Sequence, residues 1–582
     1  MNFLKSFFAS CLGSLVALIL VFFLFFFFLS ALTAESEVVV GDQSVLHLRL
    51  DRPISELEAE DPVAELFPSS VDQSMGLIQL KQTIEEAKND SRIEGIYLNA
   101  GYVMAGFATM AELRQALLDF RESGKWVVAY ADNYSEGGYY VASAADRVYM
   151  NPQGQFELNG LSIEVNFFKK LFDKLDIRPQ VFRVGDFKSA VEPFIRETLS
   201  DENRLQLSEL IESIYDEMLK DISATRDVPA AQLKDLADKV KVRNASDAVE
   251  HKLLDALYYD DEVKDELRSR LGLDEDKSIS FVKYSDYKKK VSSYSKSKNE
   301  IAVIVADGEI VPGSSSQGIV GSATIREAIR KARTSDRVKA IVVRVNSPGG
   351  VFQSADEMWR ELQLAKEAKP VIASMGTYAA SGGYYLAMAC DTIVSQPTTI
   401  TGSIGVFSVL FDLSAFLDNK LGITSDQVNT GDVGDMITVT RPLTSFEKEI
   451  WQKQTDAVYD TFTRKAAVAR NMSQDDLKKV ASGRVWTGLQ AKERNLVDVI
   501  GSLDDAIELA AAKAGVADDY KLRYYPKQRT FLERLMDDYE EQVKVYFVNR
   551  ALGEQAAWWS QWQKIKNYQG TQARMPIEFS IQ

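Results

Sequence analysis

The sequence predicts an α/β protein made of two tandem, duplicated domains behind an N-terminal transmembrane helix. Three observations predict it. Residues 92–152, moved forward by 245, fall on 337–397 without a gap: Arg92 meets Arg337, Gly137-Gly138-Tyr139-Tyr140 meets Gly382-Gly383-Tyr384-Tyr385, and Pro152 meets Pro397. Strand-like and helix-like segments alternate in the same order in both copies, the pattern of parallel α/β units. Finally, no charged residue occurs between Phe7 and Leu32.

The uncharged run comes first. It exceeds the roughly 20 residues that span a hydrocarbon core, and it is longer than the apolar region of a cleaved signal peptide, about 7–15 residues. Ala31-Leu32-Thr33-Ala34 is a poor cleavage site, so an uncleaved anchor over residues 1–36 is expected. Lys5 precedes the run, and Glu35 and Glu37 follow it. By the positive-inside rule, the N-terminus is cytoplasmic and the bulk of the chain lies on the other side.

The first copy, 37–282, opens on a strand read over Val38 to Leu50, where apolar and polar residues alternate as in Val45-Leu46-His47-Leu48-Arg49-Leu50. A helix around 75–89 follows, then a buried strand Gly95-Ile96-Tyr97-Leu98, a helix around 108–123 and a strand Trp126-Val127-Val128-Ala129. The second copy, 300–525, repeats this order. It runs from Ile301-Ala302-Val303-Ile304-Val305-Ala306 through a helix at 322–334, Ala340-Ile341-Val342-Val343-Arg344-Val345 and a helix at 354–367 to Val371-Ile372-Ala373-Ser374. Leu253-Leu254-Asp255 matches Leu496-Val497-Asp498 at offset 243, so the repeat continues almost to its end. Two units of over 200 residues are a duplicated domain, because solenoid units have about 20–50 residues. Residues 283–299, polar and basic, read as a linker. Residues 526–582 read as a helical tail, with Trp558, Trp559 and Trp562 together.

Composition excludes some functions. The 582 residues are 46% hydrophobic and 26% charged, with a net charge of -16, which argues against nucleic acid as a partner. Cys11 and Cys390 are too separate in the sequence to suggest a disulfide. There are two histidines, His47 in an alternating strand and His251 in a charged helical stretch. A Ser-His-Asp triad and a histidine-rich metal site are therefore disfavoured; no metal and no cofactor are expected. If a serine acts here, lysine is the base that remains.

The copies differ where chemistry would sit. Ser381 stands where the first copy has Glu136, and Lys188 follows Gly185-Asp186-Phe187 where the second copy reads Gly431-Asp432-Val433-Gly434. Ser381 lies between a strand and a helix of small residues, in Ala379-Ala380-Ser381-Gly382-Gly383, a position that suits a helix N-cap or a nucleophile. Ser403, in Thr401-Gly402-Ser403-Ile404-Gly405, has Leu158 as its counterpart, and it is either a rival nucleophile or a hydroxyl that orients the lysine. Asn346-Ser347-Pro348-Gly349-Gly350 is a turn whose free amides suit an oxyanion, and its counterpart lacks the glycine pair. For Lys188 to act as a base, burial must bring its pKa down from about 10.4 toward neutrality.

With these four motifs in this order, and the duplication, the chain resembles the signal peptide peptidase A family in its long, double-domain bacterial form. The resemblance covers nearly everything after the anchor. It implies ClpP/crotonase-like domains on the periplasmic side of the inner membrane and a homotetramer. It implies a serine endopeptidase that degrades cleaved signal peptides and other apolar peptides, with membrane lipid met through the N-terminal helix. By motif, Ser381 is the nucleophile, Lys188 the general base and Ser403 the residue that positions it, with Gly349, Gly350 and Gly382 in the oxyanion and substrate region. Two other classes of function stay open on sequence alone: a crotonase-type acyl-CoA enzyme, which would need neither the anchor nor the Ser/Lys split, and a tethered scaffold with a dead site.

Overall fold

A computed structural model describes residues 2–32, 40–58, 74–290, 297–517, 519–526 and 571–575. In its first half the strands are β1 (Ser44–Arg49), β2 (Ile54–Ser55), β3 (Met75–Gly76), β4 (Ile93–Asn99), β5 (Trp126–Ala131), β6 (Arg147–Met150), β7 (Arg178–Val184), β8 (Ala256–Leu257) and β9 (Phe281–Lys283). Six of them form a parallel sheet in the order β8-β6-β5-β4-β1-β9.

The second half continues with β10 (Glu300–Asp307), β11 (Glu309–Val311), β12 (Ile319–Gly321), β13 (Val338–Ser347), β14 (Gly349–Val351), β15 (Val371–Ala380), β16 (Thr392–Ser395), β17 (Ile400–Gly402), β18 (Val406–Asp412), β19 (Val485–Thr487), β20 (Val499–Ile500), β21 (Lys521–Tyr525) and β22 (Gln572–Arg574). Here β20-β16-β15-β13-β10-β21 reproduces the order of the first sheet strand for strand, and β17 and β19 extend it beside β15. The repeat read in residues is thus also a repeat in topology.

Side-chain periodicity explains the layers. Along β10, Ile301, Val303 and Val305 enter one apolar cluster, and Ala302, Ile304 and Ala306 enter the cluster on the opposite face. A strand buried on both faces reads as a continuous apolar run for that reason. Helix Ser322–Thr334 covers one face with Ile325, Ala328, Ile329 and Ala332, the stripe of a 3.6-residue period. Helix Leu503–Lys513 covers the other with Leu503, Ala506, Ile507 and Ala510.

Strand pairing and buried charge both join the two halves. A third sheet, β12-β11-β14-β22-β18-β7, takes β7 from the first copy and its other strands from the rest of the chain, with β7 antiparallel to β18 from Val184↔Val406 to Arg178↔Asp412. In the interior, the Arg344 guanidinium on β13 donates to both oxygens of Glu56 at 2.9 and 3.0 Å and lies 2.8 Å from Glu112, which also pairs with Lys81 at 2.7 Å. Arg344, Glu56 and Glu112 are all buried.

Several expectations are refined. The strand expected over 371–374 runs on to Ala380, and Gly349-Gly350 sits in a short strand instead of a turn. Within the expected linker, Tyr284–Tyr287 is a helix whose two tyrosines are buried, and 291–296 lie outside the described residues. Of the expected helical tail, 527–570 and the three tryptophans lie outside them too, and Gln572–Arg574 is a strand. Asn2–Leu32 is one helix of 31 residues, in which side chains are described without a break only over 12–24. Among the described residues no helix is long and apolar enough to cross a membrane.

Candidate active site

Lys188 and Ser381, 193 positions apart in the chain, meet in the interior. Lys188 Nζ lies 2.9 Å from Ser381 Oγ, 3.0 Å from Ser403 Oγ and 3.1 Å from the Ser403 carbonyl oxygen. All three residues have 0% exposure. Burial alone pulls the Lys188 pKa well below the ordinary lysine range, and no neighbouring charge counters it.

Each side chain is positioned by the end of a strand. Lys188 follows β7, which β18 holds in register, and precedes the short 3-10 turn Ser189–Val191. The Arg183 guanidinium donates to the Lys188 carbonyl at 3.3 Å. From helix Asp201–Arg226, the Gln206 amide donates to the Phe187 carbonyl at 3.1 Å and to Ser189 Oγ at 2.9 Å. Gly483 closes the other side: its φ is +80°, and a Cβ there would come within 2.6 Å of Lys188 Cβ. Ordinary side chains are excluded at this position.

Ser381 occupies the step from β15 to helix Gly382–Ala387, with φ +55° and ψ −109°. A non-glycine residue in such a sparsely populated region costs about 1–3 kcal/mol, and this strain is typical of functional positions. Its side chain makes no capping bond to the helix, so the N-cap reading does not hold. The Oγ faces Lys188 instead, and the Ser381 N–H donates to the Gly402 carbonyl at 2.8 Å. Ser403, at φ +48°, is anchored by its N–H to the Arg484 carbonyl at 2.7 Å.

Gly349 and Gly350 have φ values of +100° and +157°, which only glycine adopts readily. Gly382 opens the helix after Ser381, close enough that a Cβ on it would lie 3.1 Å from Gly349 Cα and 3.2 Å from Gly350 N. The three glycines thus line one crevice beside the serine. A separate cavity of about 340 Å³ is lined by Asp307, Glu309, Asn346, Pro348, Tyr378 and Met575 among others.

Among the described residues the first copy holds no such arrangement. Glu136, in the place of Ser381, is buried, and one of its oxygens accepts from the N–H groups of Asn159 and Gly160 at 3.2 and 3.0 Å. Leu158, in the place of Ser403, is buried. His47 is remote from this chemistry: it hydrogen-bonds to Asn99 at 2.7 Å and stacks on Tyr97.

Sequence reading missed Gln206 and Gly483. Gln206 carries no signal, being one polar residue on a long helix. Gly483 had one: at offset 243 it falls on Val240, so a glycine appears where its twin has a side chain.

The family model of peptidase family S49 matches residues 119–274 and 363–517, one stretch in each copy. Protease 4 of Salmonella typhi is 38% identical, over 82% of this chain and 79% of its own length. The chloroplastic serine protease SPPA of Arabidopsis thaliana is 36% identical, over 78% of this chain and 68% of its own. Among solved structures, a ClpP1 mutant from Listeria monocytogenes shares 15% identity over 35% of this chain and 94% of its own, with a TM-score of 0.24, too slight a likeness to carry an argument. Two matched stretches, one per repeat, and relatives aligned over most of their length lead to one conclusion: the chain belongs to peptidase family S49 and is a serine protease.

Proposed function

We propose that this serine protease is a membrane-anchored endopeptidase that degrades cleaved signal peptides and other apolar peptides through an acyl-enzyme, with Ser381 as nucleophile and Lys188 as general base. The observation that carries the reading is the buried 2.9 Å contact between Lys188 Nζ and Ser381 Oγ. An amine that burial keeps neutral has two N–H bonds and a lone pair. The two Ser403 oxygens at 3.0 and 3.1 Å accept the N–H groups, which aims the lone pair at Ser381. Lys188 takes the Ser381 proton as Oγ attacks the peptide carbonyl. Amides at Gly349, Gly350 and Gly382 stabilise the oxyanion. Lys188 then protonates the leaving amine, and water hydrolyses the ester by the reverse use of the same groups.

The same reading takes both copies as ClpP/crotonase-like and the assembly as a homotetramer, as the family resemblance implies. The uncharged run from Phe7 to Leu32 supports a single-pass anchor in the bacterial inner membrane, with the catalytic domains in the periplasm. The test is hydrolysis of a Leu/Ala-rich peptide by the detergent-solubilised chain and three variants. Ser381→Ala is expected to show no turnover, Lys188→Ala a loss of about 10²–10⁴-fold, and Ser403→Ala a smaller loss. Full activity in Lys188→Ala overturns the dyad. Release of the full chain from membranes by alkaline carbonate overturns the anchor.

A further inference from the structure

Helix Asp201–Arg226 of the first copy lies against β19 of the second. It docks there through polar side chains: Gln206, Glu209 and Ser213, spaced by three and four residues, share one face of the helix. Glu209 pairs with Arg484, Ser213 Oγ lies 2.9 Å from Thr487 Oγ1, and Gln206 Oε1 accepts from the Val485 N–H at 3.2 Å.

Gln206 differs from the other two in what its second end holds. It is buried, and its Nε2 lies 3.1 Å from the Phe187 carbonyl oxygen and 2.9 Å from both Ser189 Oγ and Asn203 Oδ1. Phe187 and Ser189 flank Lys188. On the Oε1 side, Val485 stands opposite Gly402 in the β17–β19 pair, and the carbonyl of the adjacent Arg484 accepts the Ser403 N–H at 2.7 Å. One carboxamide thus spans the loop that carries the lysine and the strand that anchors Ser403. Its orientation is fixed, because a backbone N–H bonds only to the amide oxygen and a backbone carbonyl only to the amide nitrogen. The first-copy end is itself held in a buried network: Ser189 Oγ donates to Asn203 Oδ1 at 2.8 Å, Asn203 Nδ2 to Glu192 Oε2 at 2.9 Å, and Ser200 Oγ to Glu192 Oε1 at 2.5 Å. Gln206 comes six residues after its helix N-cap, Ser200, and the residue six after Thr444, the N-cap of helix Ser445–Ala469, is Ile450. Like the lysine, the amide belongs to one copy.

We propose that Gln206 is a positioning residue of the protease, a strut that sets the spacing between Lys188 and the Ser381 and Ser403 hydroxyls by tying the two copies together at the site. This rests on the proposed assignment of Ser381 and Lys188. The amine reaches out on a flexible four-carbon stem from one copy, and both hydroxyls stand on the other, so a slip between the copies moves the base out of line. A misplacement of about 1 Å costs up to about a hundredfold in rate. Methionine in place of Gln206 has a similar length but no amide to bridge the two segments. The Phe187 carbonyl and the Val485 N–H then turn toward other partners, and each segment is released from the other.

The test compares the detergent-solubilised full chain with Gln206→Met, Gln206→Glu and Leu219→Ala, by steady-state hydrolysis of the Leu/Ala-rich peptide and by urea unfolding. Gln206→Met is expected to lower kcat by about 10–100-fold and to change KM by less than about twofold, because the strut holds the base and not the peptide. Gln206→Glu keeps an acceptor for Val485 but loses the donor to Phe187, so its kcat is expected to fall as well; it carries the test if the methionine chain does not fold. Leu219→Ala, in the apolar core further along the same helix, is expected to lose stability with kcat unchanged. Gln206→Met combined with Ser403→Ala is expected to lose less than the product of the separate losses, since both act on the lysine. Wild-type kcat in a folded Gln206 variant, full additivity with Ser403→Ala, or an equal fall of kcat in Leu219→Ala overturns the proposal and leaves the dyad standing. Hydrolysis retained by Ser381→Ala overturns the dyad instead.

Discussion

A lysine inside a protein is destabilising when charged, and Lys188 has no carboxylate beside it to relieve the cost. Its pKa is lowered in the folded chain relative to about 10.4 in the unfolded one, so between those two values the unfolded state binds more protons. Folding stability contributed by this residue is therefore complete above about pH 10.4 and is lost as pH falls through the folded pKa. Lys188→Met removes this dependence. Denaturant unfolding of the two chains, followed from pH 7 upward, is expected to show wild type gaining on Lys188→Met with a slope of up to about 1.4 kcal/mol per pH unit inside that window. Parallel curves would mean that the lysine stays charged inside. The same titration is expected to appear in turnover, with kcat/KM rising with pH as the amine loses its proton and then levelling off.

Among the elements, the site depends on loops meeting at strand ends, among them the one after β17 that carries Ser403. The one after β7 carries the lysine, the one after β15 the serine, and the one before β19 supplies the glycine that lets the lysine in. Gly483→Ala is expected to lower stability by about 1–3 kcal/mol, because a Cβ at φ +80° is strained and overlaps Lys188. It is also expected to cost more in kcat than in KM, since it displaces the base and not the peptide; thermal unfolding and steady-state kinetics check both, and an unperturbed kcat refutes the account. The order of strands and helices was legible because the apolar runs of 301–306 and 340–345 and the helical stripe of 322–334 repeat a pattern already met in the first copy. The extension of β15 from Ser374 to Ala380 was not, because Gly376 and Thr377 break the apolar run and the pairing with β17 that holds the strand straight is a distant contact. β22 was invisible for a similar reason: three residues acquire strand form only from the edges on either side of them.

For the molecule as a whole, the duplication matters because the halves are interlocked by charge as well as by strand pairing. The Arg344 guanidinium serves two buried carboxylates of the other half, and of these Glu112 is held at about 2 by Arg344 and Lys81 despite its burial, whereas burial pushes Glu56 upward despite its pairing with Arg344. Arg344→Ala leaves both carboxylates without this partner, and a loss of about 3–5 kcal/mol is expected at neutral pH. As pH falls through the raised Glu56 pKa, protonation relieves the buried charge, so the deficit relative to wild type is expected to shrink. Urea unfolding at neutral and mildly acidic pH reads both effects, and a deficit that is constant with pH contradicts the account.

The sequence by itself determined the doubling of the chain, the α/β character of each copy and the identities of Ser381, Lys188 and Ser403 as the residues that set the copies apart. These are local matters of periodicity and of which residue type stands at which repeat position. Only the tertiary structure decided that the amine and the hydroxyl lie 2.9 Å apart, that Ser381 is held in a strained backbone conformation with no capping bond, and that β22 pairs with the β14 strand of Gly349 and Gly350. Those properties come from contacts between segments that are not neighbours in the chain, through burial and strand pairing that no short window of residues contains.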